Sequence, residues 1–465
     1  MLTNVIIISL VALTVHFLLR RDFDKGLGAA VFFLILLPNE VLIQMPGALP
    51  ELTGHRVALL VLLANMLPRL QRVSLAPVSR LLLLLGLVAV CRLFSTITAI
   101  DSAASFKVVL GFIIEIFLYF VLIAGALNER RTIEFVAWSS LLALVLVGGI
   151  GTIEKYTGRN LAAMIVPGMI DSPIDVTATF RHRILFGYAM AMGLPLALAL
   201  KGTPDDARWK RWLPRIGMVL LPAACYFSDS RGPWVGCAMA GMAMGILGGR
   251  PMRRKLMWLG ALAAVVMALR PGTYDTIVSL WHQSFSDNTI KGRSADYRLV
   301  LWKVAYNELS KSFDHMLLGY GGHSTEMLDV SKYFDEGHGG LAGQLGYTSW
   351  DSQYASNFMQ YGFLGFGLEV ALYLSVLGML VRAWRHSNEE DREFTAVCIA
   401  TALVFFWAMA TVAIFNAQLE YLFWTVVAIA GRFHSVTPVT DLGPELNEDV
   451  RVEAPSVQTG SEIGI

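Results

Sequence analysis

Hydrophobic runs dominate the sequence, and their lengths match the thickness of a lipid bilayer. A helix needs about 20 mostly apolar residues to cross roughly 30 Å of hydrocarbon. Thirteen runs approach that length, near 3–19, 27–43, 56–68, 81–98, 106–127, 134–153, 183–200, 213–228, 232–249, 255–270, 357–381, 394–414 and 417–434. Little more than Phe415 and Asn416 separates the last two, so twelve spans is an open alternative to thirteen.

The charged residues between these runs indicate an orientation. Arginine and lysine concentrate in alternate connections, beginning with Arg20, Arg21 and Lys25 after the first run. Cytoplasmic connections of membrane proteins carry such an excess of positive charge. The alternation therefore predicts an external N-terminus and, with thirteen spans, a cytoplasmic C-terminus. No positive charge precedes the first run, which we interpret as a retained span and not as a cleaved signal peptide.

Composition narrows the class of protein further. Of the 465 residues, 55% are hydrophobic and only 16% are charged, against about 25% charged in an average soluble domain. A soluble or disordered protein is therefore excluded. With a net charge of +1 there is no basic excess, so a nucleic-acid partner is not expected. The four cysteines lie in or beside apolar runs and are interpreted as small hydrophobic residues.

These observations predict an all-α polytopic membrane protein with twelve or thirteen transmembrane helices. Residues 1–436 are expected to form the membrane domain, and a large helical loop on the external side, 271–356, is inserted into it. The segment 437–465 is rich in proline and acidic residues, which predicts a disordered cytoplasmic tail.

Arginines at the outer ends of two spans are candidates for phosphate binding. Arg181 and Arg183 open the seventh span, and Arg231 lies at the tight turn between the eighth and ninth. An arginine at membrane depth costs about 2.5–3.5 kcal/mol on insertion scales, so it usually has a partner or a function. The alternative is that these arginines extend to lipid headgroups.

The turn at Arg231 has further features of an anion site. Pro233 suits a first helical turn and Ser230 is placed to cap it. The N–H groups at such a helix start favour an anion, and Arg231 adds a fixed charge. His182, between the two other arginines, is interpreted as structural or solvated and not as catalytic.

The long outer segment 271–356 contains a third candidate. Residues 294–312 predict an amphipathic helix, because Leu299, Trp302, Ala305 or Tyr306, and Leu309 recur at helical spacing. Arg298 lies one turn before Trp302 and would direct a charge toward the same cleft. The glycine-rich run 319–323 then predicts a turn. It is not an ATPase-type phosphate loop, since neither the lysine nor the preceding strand is present.

Other motifs are absent or weak. The sequence contains no H-E-x-x-H, no paired C-x-x-C and no G-x-S-x-G. Asp22-Phe23-Asp24 has the form of a metal-binding D-x-D motif. It lies among arginines and a lysine in a short connection, so a solvated charged turn is the preferred interpretation.

The candidate sites occur in an order that resembles the O-antigen ligase and polymerase superfamily of bacterial envelope glycosyltransferases. Four features between about residues 75 and 430 carry the resemblance. They are Phe180-Arg181 followed by Gly193-Leu194-Pro195; Ser230-Arg231-Gly232; Arg298 and Trp302 followed by Leu317-Leu318-Gly319-Tyr320-Gly321; and Asp351-Ser352-Gln353-Tyr354 followed by Gln360-Tyr361-Gly362. Each feature alone is weak, but the ordered set is fairly specific.

The resemblance implies a metal-independent glycosyltransferase of the bacterial inner membrane, without a cofactor, in which the external loop 271–356 would be periplasmic. Its donor would be a glycan on undecaprenyl pyrophosphate at the periplasmic face, and its other partners would be membrane lipids and the flippase and chain-length regulator of the same pathway. Arg181 and Arg231, with Arg183, would hold the pyrophosphate, and Arg298 would assist.

One departure from the family affects the assignment of the base. Ligases of the family carry a histidine just before the span that follows the large loop, and Asp351 stands there in this chain. This favours a polymerase of exopolysaccharide, capsule or O-antigen over a ligase that transfers polymer to a lipid or protein acceptor. Asp351 is the candidate base, His338 is a possible substitute, and Gln353 and Tyr354 are candidate sugar contacts.

Two rival classes remain open. A transporter would carry ionisable residues at mid-span. Glu115 and Glu369 are such residues, and local pairing or a position near the end of a span is the preferred interpretation of both. The polar residues concentrate at one membrane face, which favours an interfacial enzyme. A catalytically inactive assembly or sensor protein is the third class, and the presence of all three candidate arginines argues against it.

Overall fold

A computed structural model of the protein describes most of the chain. The described residues are 2–45, 50–70, 74–169, 175–269, 290–328, 350–414 and 416–433, together with a few positions between 272 and 282 and position 330. The predicted tail and His338 lie outside them, and for residues 290–296 only the backbone is described.

Each of the thirteen hydrophobic runs coincides with a helix. The first six helices are α1 (Leu2–Arg21), α2 (Phe23–Leu36), α3 (Gly54–Leu70), α4 (Ser79–Phe94), α5 (Ser102–Ala126) and α6 (Arg130–Thr157). After a short α7 (Leu161–Ile165) come α8 (Arg183–Ala199), α9 (Arg208–Phe227), α10 (Arg231–Leu247) and α11 (Gly249–Leu269). The long connection contains α12 (Ile290–Leu309), α13 (Phe313–Leu318) and α14 (Ser324–Met327). The last three are α15 (Gln353–His386), α16 (Glu389–Thr411) and α17 (Ala417–Phe433).

This architecture confirms an all-α polytopic membrane protein. Within the described part of the chain, six helices are both long and apolar enough to cross a membrane, namely α1, α4 with its preceding turn, α5, α6, α15 and α16. α8 is apolar but shorter, with 17 residues. The last two runs form separate helices, whereas the total of twelve or thirteen membrane crossings stays a prediction.

Two helices lie at the centre of the bundle. Nearly every residue of α8 and of α17 is buried. A helix that is hydrophobic all round belongs in the interior of a large helical protein. α8 packs against α9, α10 and α16, and α17 packs against α5, α15 and α16. The N-terminal ends of the two central helices lie close together, because the Gln418 side chain at the start of α17 donates to the Thr179 hydroxyl, just before α8, at 3.4 Å.

The second predicted run is too long at its C-terminal side. The run was expected to reach residue 43, but α2 ends at Leu36, shortly before Pro38. Proline disfavours the helical conformation in the residue before it, which ends helices at such positions. The chain then forms a two-stranded antiparallel pair, β1 (Leu42–Ile43) with β2 (Leu52–Thr53).

The helix expected at 294–312 is present as α12, and most of its predicted apolar face is covered. Ala305 and Leu309 are fully buried and Trp302 packs against them, in a small core that also contains Trp350. The prediction was wrong for Leu299, which is 64% exposed. The partner surface is the start of α15, and this long-range contact decided which face of α12 is covered.

Two glycine-dependent bends lock the long connection onto α15. Gly319 and Gly362 both have positive φ, 77° and 61°. At the bend of α15 the Tyr320 N–H donates to the Met359 carbonyl at 3.1 Å, and the Gly321 N–H donates to the Gln360 carbonyl at 2.9 Å. The turn predicted from the glycine-rich run is confirmed, and its backbone occupies hydrogen-bonding positions that the bend of α15 leaves open.

Replacing Gly362 with alanine should therefore destabilise the protein. A left-handed conformation costs a residue with a Cβ about 1–2 kcal/mol, and a Cβ at position 362 would lie 2.6 Å from the Leu317 carbonyl oxygen. We expect Gly362→Ala to lower the thermal unfolding midpoint of the detergent-purified protein by several degrees. Gly367→Ala is the matched control in the same helix, because a Cβ there meets nothing within 4 Å. Equal midpoints for the two variants would contradict this account.

Candidate functional site

The C-terminal end of α16 is where the candidate segments meet. The last carbonyl groups of a helix have no partner within the helix and need donors from elsewhere. Arg298 from α12 supplies two of them, since its Nη2 donates to the Thr411 carbonyl at 2.7 Å and its Nε lies 3.1 Å from the same oxygen. The same Nε is 3.1 Å from the Asp351 carbonyl oxygen. One guanidinium therefore joins the long connection to the ends of two membrane helices.

The first turn of α10 and Tyr188 of α8 reach the same place. The Trp407 indole N–H donates to the Gly232 carbonyl at 3.0 Å, and the Tyr188 hydroxyl bonds to the Thr411 hydroxyl. A side chain at position 232 would collide with the Tyr188 hydroxyl. This close approach explains why glycine follows Arg231. α10 begins at Arg231 as expected, but Ser230 forms no capping hydrogen bond with its side chain, which corrects that part of the prediction.

Gln353 completes the junction from the start of α15. Its backbone N–H donates to the Val412 carbonyl at 3.2 Å, and its side-chain oxygen accepts from the Ile414 N–H at 2.7 Å. Its side-chain nitrogen donates to Asn357 at 2.7 Å. We call the contacts of Arg298, Gly232 and Gln353 with residues 407–414 the α16 junction.

A cavity of about 770 Å³ adjoins the α16 junction, between α4, α5, α15, α16 and α17. Arg181 and Gln353 both line it, so two of the sequence-predicted residues share one space. The side chain of Arg181 is exposed and forms no ion pair with a described residue. A second groove, at the opposite ends of α4 and α15, is lined by none of the candidate residues.

The other candidate residues hold different positions. Arg183 pairs with Asp175 at 3.0 Å, so its charge is compensated. The Tyr354 hydroxyl donates to the Phe406 carbonyl at 3.3 Å, which ties α15 to α16. Neither Tyr354 nor Asp351 is among the residues that line the cavity. The geometry therefore gives Tyr354 a packing position, while Asp351 lies at the junction beside Arg298.

His182 has the structural position that the sequence suggested. Its Nδ1 accepts the Ile184 N–H at 3.3 Å and so caps α8. Burial lowers the pKa of the imidazole and the Arg183 guanidinium acts in the same direction, whereas the Asp351 and Asp175 carboxylates oppose them. The neutral ring that can accept this hydrogen bond is thus favoured.

The mid-span acids are paired locally, as predicted. Glu115 accepts from Arg56 at 2.8 Å, and Glu369 pairs with Arg92 and accepts from Asn357 at 2.6 Å. Both acids line the cavity. The same space contains Glu420, which sequence reasoning missed although an acid in the first turn of the last apolar run is a detectable signal.

The D-x-D motif also behaves as expected. Asp22 caps α2 and pairs with Lys25 at 2.9 Å. Asp24 accepts from Thr132 at 2.6 Å and lies 3.3 Å from the Arg131 guanidinium. Both carboxylates therefore serve a charged turn that joins α1, α2 and α6.

The fold and the cavity define a multi-pass membrane protein with a polar chamber at one end of its helical bundle. Residues 216–370, one third of the chain, match the family model described as O-antigen ligase. This match confirms the resemblance to the O-antigen ligase superfamily, and with it a role related to polysaccharide biosynthesis. The matched segment contains Arg231, Arg298 and Asp351, but not Arg181 or Glu420. No curated protein matches the chain.

Removing the Arg298 guanidinium should loosen the long connection. Hydrogen bonds to charged groups contribute about 1.5–3 kcal/mol each, so losing them should raise the open population of α12 about tenfold or more. We expect Arg298→Gln to speed chymotrypsin cleavage within the long connection accordingly. Lys303→Gln, an exposed position on the same helix, should cleave at the wild-type rate. Unchanged cleavage of the Arg298 variant would show that the α16 junction does not hold the connection in place.

Proposed function

We propose that the protein is a polymerase that transfers a glycan from undecaprenyl pyrophosphate to another lipid-linked glycan, at the periplasmic face of the inner membrane. The observation that carries the proposal is the α16 junction, which gathers Arg298, the helix start at Arg231 and Asp351 beside the cavity that Arg181 lines. The match to the O-antigen ligase family supports the reaction type. In this proposal the end of the bundle that contains the cavity faces the periplasm.

Positive charge beside the cavity suits a pyrophosphate leaving group. As the glycosidic bond to phosphate breaks, negative charge develops on the leaving oxygen, and positioned guanidinium groups stabilise it. We assign this task to Arg181 and Arg231. Arg183 contributes less, because Asp175 already compensates its charge. Arg298 acts as a positioning residue through its contacts with Asp351 and Thr411.

The acceptor hydroxyl needs a hydrogen-bond acceptor within reach when it attacks, because its own pKa is far above 7. Asp351 is the candidate from sequence, and it stands where ligases of the family carry histidine. Attack opposite the leaving group would invert the configuration of the anomeric carbon. The aspartate at this position supports a polymerase over a ligase.

Neutralising Arg181 should abolish transfer without loss of protein. Arg181→Gln removes the exposed guanidinium from the cavity wall, and we expect polymer to fall by about tenfold or more, since charge-assisted contacts to phosphate are among the strongest hydrogen bonds. Arg159→Gln, in the same connection and also exposed, is the matched control. Polymer is measured by gel analysis of surface glycan at equal protein abundance. Normal polymer from the Arg181 variant would refute its assignment.

The glycan phenotype of a deletion strain distinguishes polymerase from ligase. A missing polymerase leaves single repeat units on the carrier lipid or on their final acceptor, with no long chains. A missing ligase leaves long chains that accumulate on undecaprenyl pyrophosphate. We expect the first pattern, measured by mass spectrometry of lipid-linked glycans. The second pattern would overturn the polymerase assignment in favour of the ligase.

A further inference from the structure

The membrane helices contribute acidic as well as basic side chains to the lining of the cavity. Glu115 of α5, Glu369 of α15 and Glu420 of α17 line it, together with Arg92 of α4. Amide side chains of Asn357, Gln360 and Gln353 and the rings of Trp350 and Trp424 complete the lining. Such a mixture of aromatic faces with a few convergent polar groups is typical of small-molecule sites, and 770 Å³ lies within their usual range of about 300–1,000 Å³.

Two of the three acids are already engaged. Glu369 is 3% exposed in its side chain and bonds to both Arg92 and Asn357. Glu115 bonds to Arg56 at 2.8 Å. Removing a carboxylate from water is costly unless it is paired in this way. These two acids are therefore fixed parts of the wall.

Glu420 has no such partner. It is half-buried on the cavity wall and forms no hydrogen bond or ion pair with any described residue. Its electrostatic neighbours are the carboxylates of Glu115 and Glu369 and the Arg92 guanidinium. An unpaired ionisable side chain within a membrane bundle is by default a candidate for function. The acceptor capacity of this carboxylate is available to a molecule in the cavity.

Two donors next to the cavity are out of reach of a ligand. Trp350 and Arg92 line the cavity, but the indole N–H of Trp350 and the Nε of Arg92 are buried and have no hydrogen-bond partner among the described residues. The Glu420 carboxylate is not buried in this way. It can accept a hydrogen bond from a molecule in the cavity, and sugar hydroxyl groups donate such bonds.

We propose that the wall formed by Glu420, Glu369, Trp350 and Trp424 is the acceptor-sugar subsite, and that it takes a sugar without a carboxylate group. The Glu420 carboxylate accepts a hydrogen bond from a hydroxyl group of the acceptor sugar, and the tryptophan rings contact the apolar faces of the sugar. Arg56 and Arg92 compensate the charges of Glu115 and Glu369, so the unpaired carboxylate of Glu420 is the charge that repels a uronic acid here. The inference rests on the proposed function, because it takes the cavity as the place of transfer.

Sugar binding can be measured without a donor by quenching of tryptophan fluorescence. Lactose and di-N-acetylchitobiose serve as uncharged probes and digalacturonate as the acidic probe, all titrated into the detergent-purified full chain at low ionic strength. We expect saturable quenching by at least one uncharged disaccharide and binding of digalacturonate at least about tenfold weaker. Equal or tighter binding of digalacturonate, or no binding of any disaccharide up to its solubility, would overturn the proposal.

Glu420→Gln provides the decisive variant, because it keeps the shape of the side chain and removes its charge. Charge-assisted hydrogen bonds are about twice as strong as neutral ones, so the uncharged sugars should bind about tenfold more weakly. Digalacturonate should bind more tightly than it does to the wild type. An unfolded variant cannot produce this reversal of selectivity. Asp314→Asn, an exposed acid on the long connection, should change neither affinity.

The outcomes separate this inference from the proposed function. If Arg181→Gln abolishes polymer while Glu420→Gln binds both classes of sugar as the wild type does, the acceptor subsite is wrong and the polymerase proposal stands. If the deletion strain makes normal polymer while Glu420 still controls sugar selectivity, the cavity is a sugar site and the polymerase proposal fails.

Discussion

The carbonyl groups at the end of α16 are the constraint on which the site depends. A helix that ends inside a membrane protein cannot leave its last carbonyls without donors, because no bulk water is present to satisfy them. Here the donor comes from Arg298, which lies 113 residues away in sequence and reaches Thr411 and Asp351 together. The guanidinium is suited to this task because its fork of donors is rigid and always charged. The hydrogen bonds at this helix end thus bring three distant segments, at residues 298, 351 and 411, together next to the cavity.

At the bends of Gly319 and Gly362, backbone carbonyls that lack a partner within their helix are again satisfied by donors from the long connection. Where α15 departs from helical geometry, the backbone N–H groups of Tyr320 and Gly321 supply the missing donors. The long connection is therefore held at two places, by a side chain at the α16 junction and by its own backbone at α15. The residues of the connection that line the cavity, such as His323, Thr325 and Trp350, follow the second of these places in the sequence. This arrangement gives a physical reason for the glycine-containing motifs of the resemblance.

The hydrophobic pattern predicted the helices well, because a helix that crosses the membrane needs a run of about 20 mostly apolar residues and such runs are visible in the sequence. It predicted their ends less well, as at Leu36, where Pro38 decided the outcome. On α12 it placed Trp302, Ala305 and Leu309 correctly on the covered face but was wrong for Leu299, which is exposed although it is as apolar as they are. The candidate arginines were found from motif order, but their partners were not. The contact of Arg298 with Thr411 joins a side chain to a backbone carbonyl 113 residues away. Every residue has such a carbonyl, so a single sequence does not show which one the arginine binds.

We propose that Arg298 organises a pyrophosphate site by binding backbone carbonyls. The most direct measurement is the affinity of the purified protein in nanodiscs for undecaprenyl pyrophosphate, compared between the wild type and Arg298→Lys. A lysine retains the charge but loses the fork that spans Asp351 and Thr411. We expect the affinity of the variant to be lower by about tenfold or more, since the contacts to a charged donor contribute about 1.5–3 kcal/mol each. An unchanged affinity in a stably folded variant would contradict this role of Arg298.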